Sequence, residues 1–243
     1  MKNIVLAAGY ATRLFPVTEN FPKPLLEIGG VSILDRLIRD VDAIDEIDSH
    51  LIVSNHRYYP HFEKWANDSR YTKKITLLDD GTTDNDHRLG AVRDLLLAVE
   101  TFQLVDDDLL VIAADNIVNF SFQGFIDCFK EKKTSLIMTF YEPDIAVLQR
   151  TGVITKDKDN KVLEMEEKPE NPKSHFAVPP FYIYKKNDIK FFKSCLSEGC
   201  HPDAPGNLVK YMLTKTVFHA WPMTGKRQDV GTLETYNKLK VES

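Results

Sequence analysis

The sequence predicts an α/β fold in which a mostly parallel sheet lies between layers of helices, with a further antiparallel portion in the second half. Three observations predict it. Strand-like and helix-like segments alternate through the first half of the chain. Leu109–Ala114 is an unbroken apolar run, as expected of a strand covered on both faces. From Ser135 onward, strand-like runs follow one another with turns between them, a change from the alternating pattern before it.

The elements follow in order. Ile4–Ala8 reads as a buried strand. Ser32 is placed to cap a helix whose apolar positions Ile33, Leu34, Leu37, Ile38 and Val41 recur at helical spacing. His50–Ser54 is strand-like, residues 59–69 read as a helix and Ile75–Leu78 as a short strand. Leu89, Val92, Leu95, Leu96, Val99 and Phe102 form a helical stripe that leads to the Leu109–Ala114 run. Ser135–Tyr141, Gly152–Lys156, Lys161–Glu166 and Ala177–Tyr184 read as strands, with Asp157–Asn160 offering a turn. Helices are expected near 187–198, near 205–214 and over Glu234–Lys240.

A chain of 243 residues is ample for a real core. With 43% hydrophobic and 28% charged residues and a net charge of −5, it has the make-up of a soluble globular protein. The mild acidic excess argues against general nucleic-acid binding, which needs a basic face. Apolar runs of about five or six residues are too short to span a membrane, and the N-terminus lacks the apolar core of a signal peptide. Cys128, Cys195 and Cys200 are odd in number and form no CxxC. They are expected to be reduced thiols in a cytoplasmic protein.

In open parallel sheets, ligands sit beyond the carboxyl ends of the strands. Two such ends are chemically conspicuous: Ala8-Gly9-Tyr10-Ala11-Thr12-Arg13, and Asp115-Asn116. A small-residue turn lets backbone N–H groups approach phosphate oxygens. Arg13 follows that turn, and Lys23 stands nearby between Pro22 and Pro24. Two cations are costly to crowd together unless something strongly negative lies between them. A triphosphate would meet that need, with Asp115 holding a divalent cation that bridges it. Taken singly, each feature has a structural reading. The turn is a common one, Arg13 suits a surface salt bridge, Lys23 a rigid loop and Asp115 a helix cap. Their combination, in order and on strand ends, favours the anion site. A dinucleotide fingerprint (GxGxxG) and a P-loop are both absent.

Leu6-Ala7-Ala8-Gly9-x-x-Thr12-Arg13-Leu14, Pro22-Lys23-Pro24, Ala114-Asp115-Asn116, Glu166-Glu167-Lys168-Pro169 and Asp229-Val230-Gly231-Thr232 occur in this order over nearly the whole chain. Together they resemble the signature of the sugar-1-phosphate nucleotidyltransferases, of the glucose-1-phosphate thymidylyltransferase-like type. The resemblance implies a Rossmann-like, three-layer α/β/α sandwich of the nucleotide-diphospho-sugar transferase type. It implies a single catalytic domain over residues 1–243, with a nucleotide-binding half to about residue 130 and an acceptor-binding half beyond it. The implied reaction is Mg²⁺-dependent transfer of a nucleoside monophosphate from an NTP to a sugar 1-phosphate, releasing pyrophosphate. By that likeness, Leu6, Ala7, Ala8, Gly9 and Thr12 wrap the nucleotide, and Arg13 and Lys23 contact its phosphates. Asp115 and Asp229 hold the metal, and Arg13, Lys23 and Asp115 are the catalytic group. Glu167 and Gly152 match positions near the sugar, and Lys168 matches one that binds the sugar phosphate.

The chain also departs from that pattern. Ala11 stands where the family usually has glycine. Asp80–Ala91 lacks the glutamine that usually reads a thymine or uracil base, leaving Gly81 and Gly90 as candidates for backbone approach to the base, or simply as turns. Pro179-Pro180 replaces a Thr-Gly, removing backbone donors. The His201–Asn207 segment replaces a Glu-x-Thr-Asp type segment, so Asp203 and Asn207 either meet the acceptor or form a turn into a helix. The nucleotide base stays open. So does the acceptor, between a sugar 1-phosphate and a non-sugar phosphate such as phosphocholine in a cytidylyl transfer. A catalytically silent module binding nucleotide sugars would be expected to have lost Lys23, Asp115 or Asp229, and all three are present. The expected partners are the NTP and the phosphorylated small molecule, with no nucleic acid and no membrane. The sequence leaves a homo-oligomer open.

Overall fold

In the computed structural model, which describes residues 1–242, the helix after the first strand is built as its apolar spacing requires. Ser32 Oγ accepts a hydrogen bond from Asp35 N at 3.0 Å and starts the Ile33–Asp42 helix. The five residues that the helix buries, Ile33, Leu34, Leu37, Ile38 and Val41, are those of the periodic stripe. Chain contacts divide the protein into two units, each assembled from separate stretches of sequence.

The first unit comprises Met1–Leu89, Ala113–Phe122 and the chain from Gly225 onward. Its strands Lys2–Leu6, Ser49–Ser54 and Lys74–Asp79 pair in parallel in that order. Ala114 continues the pattern beside the first of them, its N donating to Leu6 O at 3.1 Å. Leu34 and Ile38, with Phe62 from the Tyr59–Asp68 helix, pack against Val5 and Ile52 of the strands. This is a parallel sheet with helices laid on it, as the alternation predicts. A second cluster joins Leu14, Leu26, Ile28, Ile33 and Val230 with Tyr236 of the Leu233–Glu242 helix.

The second unit comprises Gly90–Ile112 and Gln123–Thr224. Val162–Glu167, Gly152–Lys156, Phe176–Val178, Ser135–Tyr141, Phe181–Tyr184 and residues 109–112 follow one another as antiparallel neighbours. Phe218–Pro222 adds to Ser135–Tyr141 in parallel. The antiparallel portion is therefore where the sequence puts it, and the fold class is the mixed α/β one expected.

Some elements differ from expectation. Ala177–Tyr184 is two strands, because neither Pro179 nor Pro180 has an N–H to give to a ladder. Phe181 N instead turns back to Pro179 O at 2.7 Å. The helix expected over 187–198 is a short 3-10 turn at Lys186–Asp188 followed by Phe191–Ser197. The Gln123–Lys132 helix, the Phe218–Pro222 strand and the ribbon of Asn116–Val118 with Arg227–Asp229 were not anticipated. Among the described residues, no helix is long and apolar enough to cross a membrane.

Candidate functional site

The small ribbon in the first unit brings two distant aspartates together. Asn116–Val118 pairs antiparallel with Arg227–Asp229, which sets Asp229 opposite Asn116. Val230 N donates to Asp115 O at 3.3 Å, closing the end of the ribbon. Lys23 enters from a 3-10 turn, Lys23–Leu25, with Pro22 before it and Pro24 inside it. Its Nζ donates to Asp115 Oδ2 at 3.0 Å and to Asp229 Oδ1 at 3.3 Å. Lys23 itself is buried, whereas the two carboxylate side chains remain 43% and 45% exposed. The other oxygen of Asp115 accepts from Asn116 Nδ2 at 2.7 Å, and Arg227 Nη1 donates to Asn116 Oδ1. A Cβ on Gly231 would stand 3.1 Å from Asp229 Oδ2, so the close approach there suits a glycine.

Two carboxylates side by side repel unless a cation is shared between them. Here Lys23 is that cation. The negative partner that its position demanded is thus supplied, within the protein, by Asp115 and Asp229. The donor set also fits a hard divalent ion. Mg²⁺ is held by one or two carboxylates and completes its shell with water and phosphate oxygens. Two half-exposed aspartates match that mode of binding. Among the described residues there is no cluster of three or more His, Cys, Asp or Glu that could hold a metal unaided.

The loop after the first strand is fixed from below. Asn55 is fully buried, donates Nδ2 to Ala8 O at 2.9 Å and accepts from Tyr58 N at 2.9 Å. Leu6 ends the strand, and Ala7 and Ala8 are buried beyond it. Gly9, Thr12 and Arg13 are exposed. Ala11 has φ 47° and ψ 42°, the left-handed region where glycine is at ease and a methyl group is not. Its carbonyl is held by Thr18 Oγ1 at 2.8 Å and Leu14 N at 2.9 Å. Replacing the usual glycine therefore carries a backbone cost. Tyr10 is buried, and its hydroxyl meets Thr82 Oγ1 at 3.0 Å, tying this loop to the segment that carries exposed Gly81 (φ +79°).

In the second unit, Glu167 ends the Val162–Glu167 strand directly opposite Gly152. Burial pushes the Glu167 carboxyl up from its ordinary range, with Lys168 opposing. Tyr182 is buried, and both its burial and the nearby Glu167 charge raise its hydroxyl pKa. Lys168 is exposed and has φ 48°, its N donating to Thr151 O at 3.1 Å. Gly90 starts the Ala91–Phe102 helix at φ +89°, where a Cβ would lie 2.8 Å from Pro202 O. Backbone conformation and packing both favour glycine there. Asp203 N donates to His201 Nδ1 at 3.4 Å and Asn207 Nδ2 to His201 O at 3.2 Å, within the turn that opens the Pro205–Met212 helix.

The structure thus joins Lys23, Asp115 and Asp229 in one cluster, and Gly152 with Glu167 in another. Asn55, Arg227 and Gly206 stand behind these groups and were not singled out in the sequence as site residues. Asn55 had a signal, being a polar residue directly after a predicted strand. Arg227 had none, since its ribbon is too short to show a period.

The nucleotidyl transferase family profile matches residues 2–242. A glucose-1-phosphate adenylyltransferase of Fervidobacterium nodosum is 26% identical over 261 residues, covering 100% of this chain and 61% of that protein. A bifunctional protein GlmU of Methanococcus aeolicus is 32% identical over 236 residues, covering 95% of this chain and 51% of that one. The chain therefore spans less than two thirds of the length of these curated relatives. Among solved structures, a protein described as a glucose-1-phosphate thymidylyltransferase from Bacillus anthracis, with sucrose bound, superposes with a TM-score of 0.84. It is 24% identical and covers 100% of this chain and 94% of its own, a likeness that shows the shared fold.

Proposed function

The chain belongs to the nucleotidyl transferase family, and from that premise we propose that it transfers a nucleoside monophosphate from an NTP to a sugar 1-phosphate, releasing pyrophosphate. The observation that carries this reading is the buried Lys23 ammonium shared between the half-exposed carboxylates of Asp115 and Asp229. Such a group can rearrange around an incoming polyphosphate, because it already balances one buried cation against two anions. That the adenylyltransferase relative acts on glucose 1-phosphate, by its description, supports a sugar 1-phosphate as acceptor.

In the proposed reaction an acceptor phosphate oxygen attacks the α-phosphorus, while the bond to the bridging oxygen of pyrophosphate breaks. Two anions must meet, so electrostatic repulsion is the main obstacle and fixed positive charge the main remedy. The acceptor is already ionised near neutral pH, so no general base is required. Arg13 and Lys23 offset the charge of the donor phosphates, and the backbone at Ala8 and Gly9 offers N–H groups beside them. Asp115 and Asp229 would hold Mg²⁺, which when bound neutralises phosphate charge and steadies the leaving group. Lys168 offsets the acceptor phosphate. Glu167 accepts a hydrogen bond from an acceptor hydroxyl, and Gly152 leaves space beside it. Gly81 lets the backbone approach the base. The three free thiols suit the reducing cytoplasm.

The test is pyrophosphate release across a grid of NTPs and dTTP against sugar 1-phosphates and phosphocholine, with Mg²⁺ and with EDTA. A metal-dependent signal in one row and column is expected, and it names both substrates. Nucleotide binding with silence across the grid would refute the transferase reading for these acceptors.

A further inference from the structure

Gly206 lies in the first turn of the Pro205–Met212 helix and is buried. Glycine there weakens a helix by up to about 1 kcal/mol relative to alanine, so something must require it. Backbone conformation does not, since Gly206, unlike Gly81 and Gly90, is not in the positive-φ region. Space does. A Cβ on Gly206 would stand 2.1 Å from Glu167 Oε2, 3.3 Å from Glu167 Cδ and 2.5 Å from Met165 Cε. From the opposite strand, a Cβ on Gly152 would stand 2.5 Å from Met165 Cε and 3.4 Å from Glu167 Oε2. Met165 is buried, so its terminal carbon has little room to move. The Glu167 carboxylate, at the far end of a flexible and only half-buried side chain, is the group that gives way.

Among the described residues, no hydrogen bond to that carboxylate is seen. A half-buried carboxyl with no protein donor remains ready to take one. Its location is set by the surfaces that leave it room, and Gly206 lies closer to it than Gly152 does.

We propose that Gly206 is a positioning residue, whose missing side chain fixes where the Glu167 carboxylate lies and thereby sets acceptor affinity. The affinity part rests on the proposed transferase reaction; the positioning part does not. An alanine at 206 must drive Oε2 outward by about an ångström before an ordinary contact is reached, and displacements of that size at a reacting site cost up to about 10²-fold.

A double-mutant cycle over Gly206→Ala and Glu167→Ala tests this, read by thermal unfolding and by steady-state kinetics with the acceptor found in the grid. In the wild-type background, Gly206→Ala is expected to lower the melting temperature by several degrees. It is also expected to raise acceptor KM by about 10-fold or more, with a smaller fall in kcat. In the Glu167→Ala background the same change is expected to be neutral or stabilising in unfolding and to leave KM within about twofold. If Gly206→Ala alone does not fold, recovery of a folded double variant supports the proposal. Equal losses in both backgrounds, or no loss in either, overturn it, as does a double variant that stays unfolded. Should every acceptor be silent, the transferase reading fails while the unfolding cycle still decides the positioning role.

Discussion

Replacing Lys23 by methionine removes the shared charge but keeps most of the aliphatic stem that fills the buried path. Two charge-assisted hydrogen bonds, at 3.0 and 3.3 Å, are lost. Fully buried, each would be worth roughly 1.5–3 kcal/mol. The carboxylates are 43% and 45% exposed, so water takes over much of what the ammonium did. Mutual repulsion between the two aspartates then appears, partly screened by salt. A net loss of about 2 kcal/mol follows, which for a chain of this length is a fall of about 4–8 °C in melting temperature. The assay is thermal unfolding at low salt in EDTA, repeated with millimolar Mg²⁺. A divalent ion is expected to replace the missing ammonium between Asp115 and Asp229, so Mg²⁺ should stabilise Lys23→Met more than the wild type. An unchanged melting temperature in EDTA would refute the structural role of the ion pair. Equal stabilisation of both proteins by Mg²⁺ would refute the idea that lysine and metal compete for the same carboxylates. In turnover, Lys23→Ala and Asp115→Ala are each expected to lose about 10²-fold or more; near-wild-type rates at saturating Mg²⁺ would sink those assignments.

Other expectations follow from the same geometry. Ala11→Gly relieves a left-handed alanine at φ 47° and should stabilise by about 0.5–1 kcal/mol after the entropy of glycine is counted, read as a rise in the denaturation midpoint. A fall would show that the loop needs the methyl group. Asn55→Ala leaves Ala8 O and Tyr58 N without their buried partner and should cost about 2–3 kcal/mol. It should also raise the NTP KM by loosening the loop after the first strand, and intact stability with normal KM would contradict this. Glu167 gives a pH signature. Its carboxyl pKa is raised in the fold, so its contribution is fully present below the ordinary glutamate pKa and is lost as pH rises through the raised value. Stability of the wild type relative to Glu167→Gln should therefore decline from about pH 4 upward. A constant difference between the two across pH 4–8 would show that burial does not perturb Glu167.

Much of the fold was legible because burial leaves a period. The Ile33–Asp42 helix showed its face at five positions, and the strands Ser135–Tyr141 and Gly152–Lys156 appeared with the bounds expected. Proline broke Ala177–Tyr184 in two through a missing N–H, an effect that the two adjacent prolines carry in the sequence itself. The three-residue strands of the ribbon were not readable. Asn116–Val118 and Arg227–Asp229 are too short for any period, and each exists only because the other pairs with it.

By itself, the sequence determined the α/β class, the order of the motifs and the chemical identity of Lys23, Asp115, Asp229 and Glu167. Those follow from local propensity, hydrophobic spacing and side-chain type, all of which are carried along the chain. Only the tertiary structure decided that Asp115 and Asp229 are held together and that Lys23 lies between them. It also decided that Ala11 is left-handed and that Gly206 yields its space to Glu167. Each of these depends on atoms brought into contact from remote stretches of chain, where Coulomb energy and steric exclusion act over a few ångströms in space and take no account of distance in sequence.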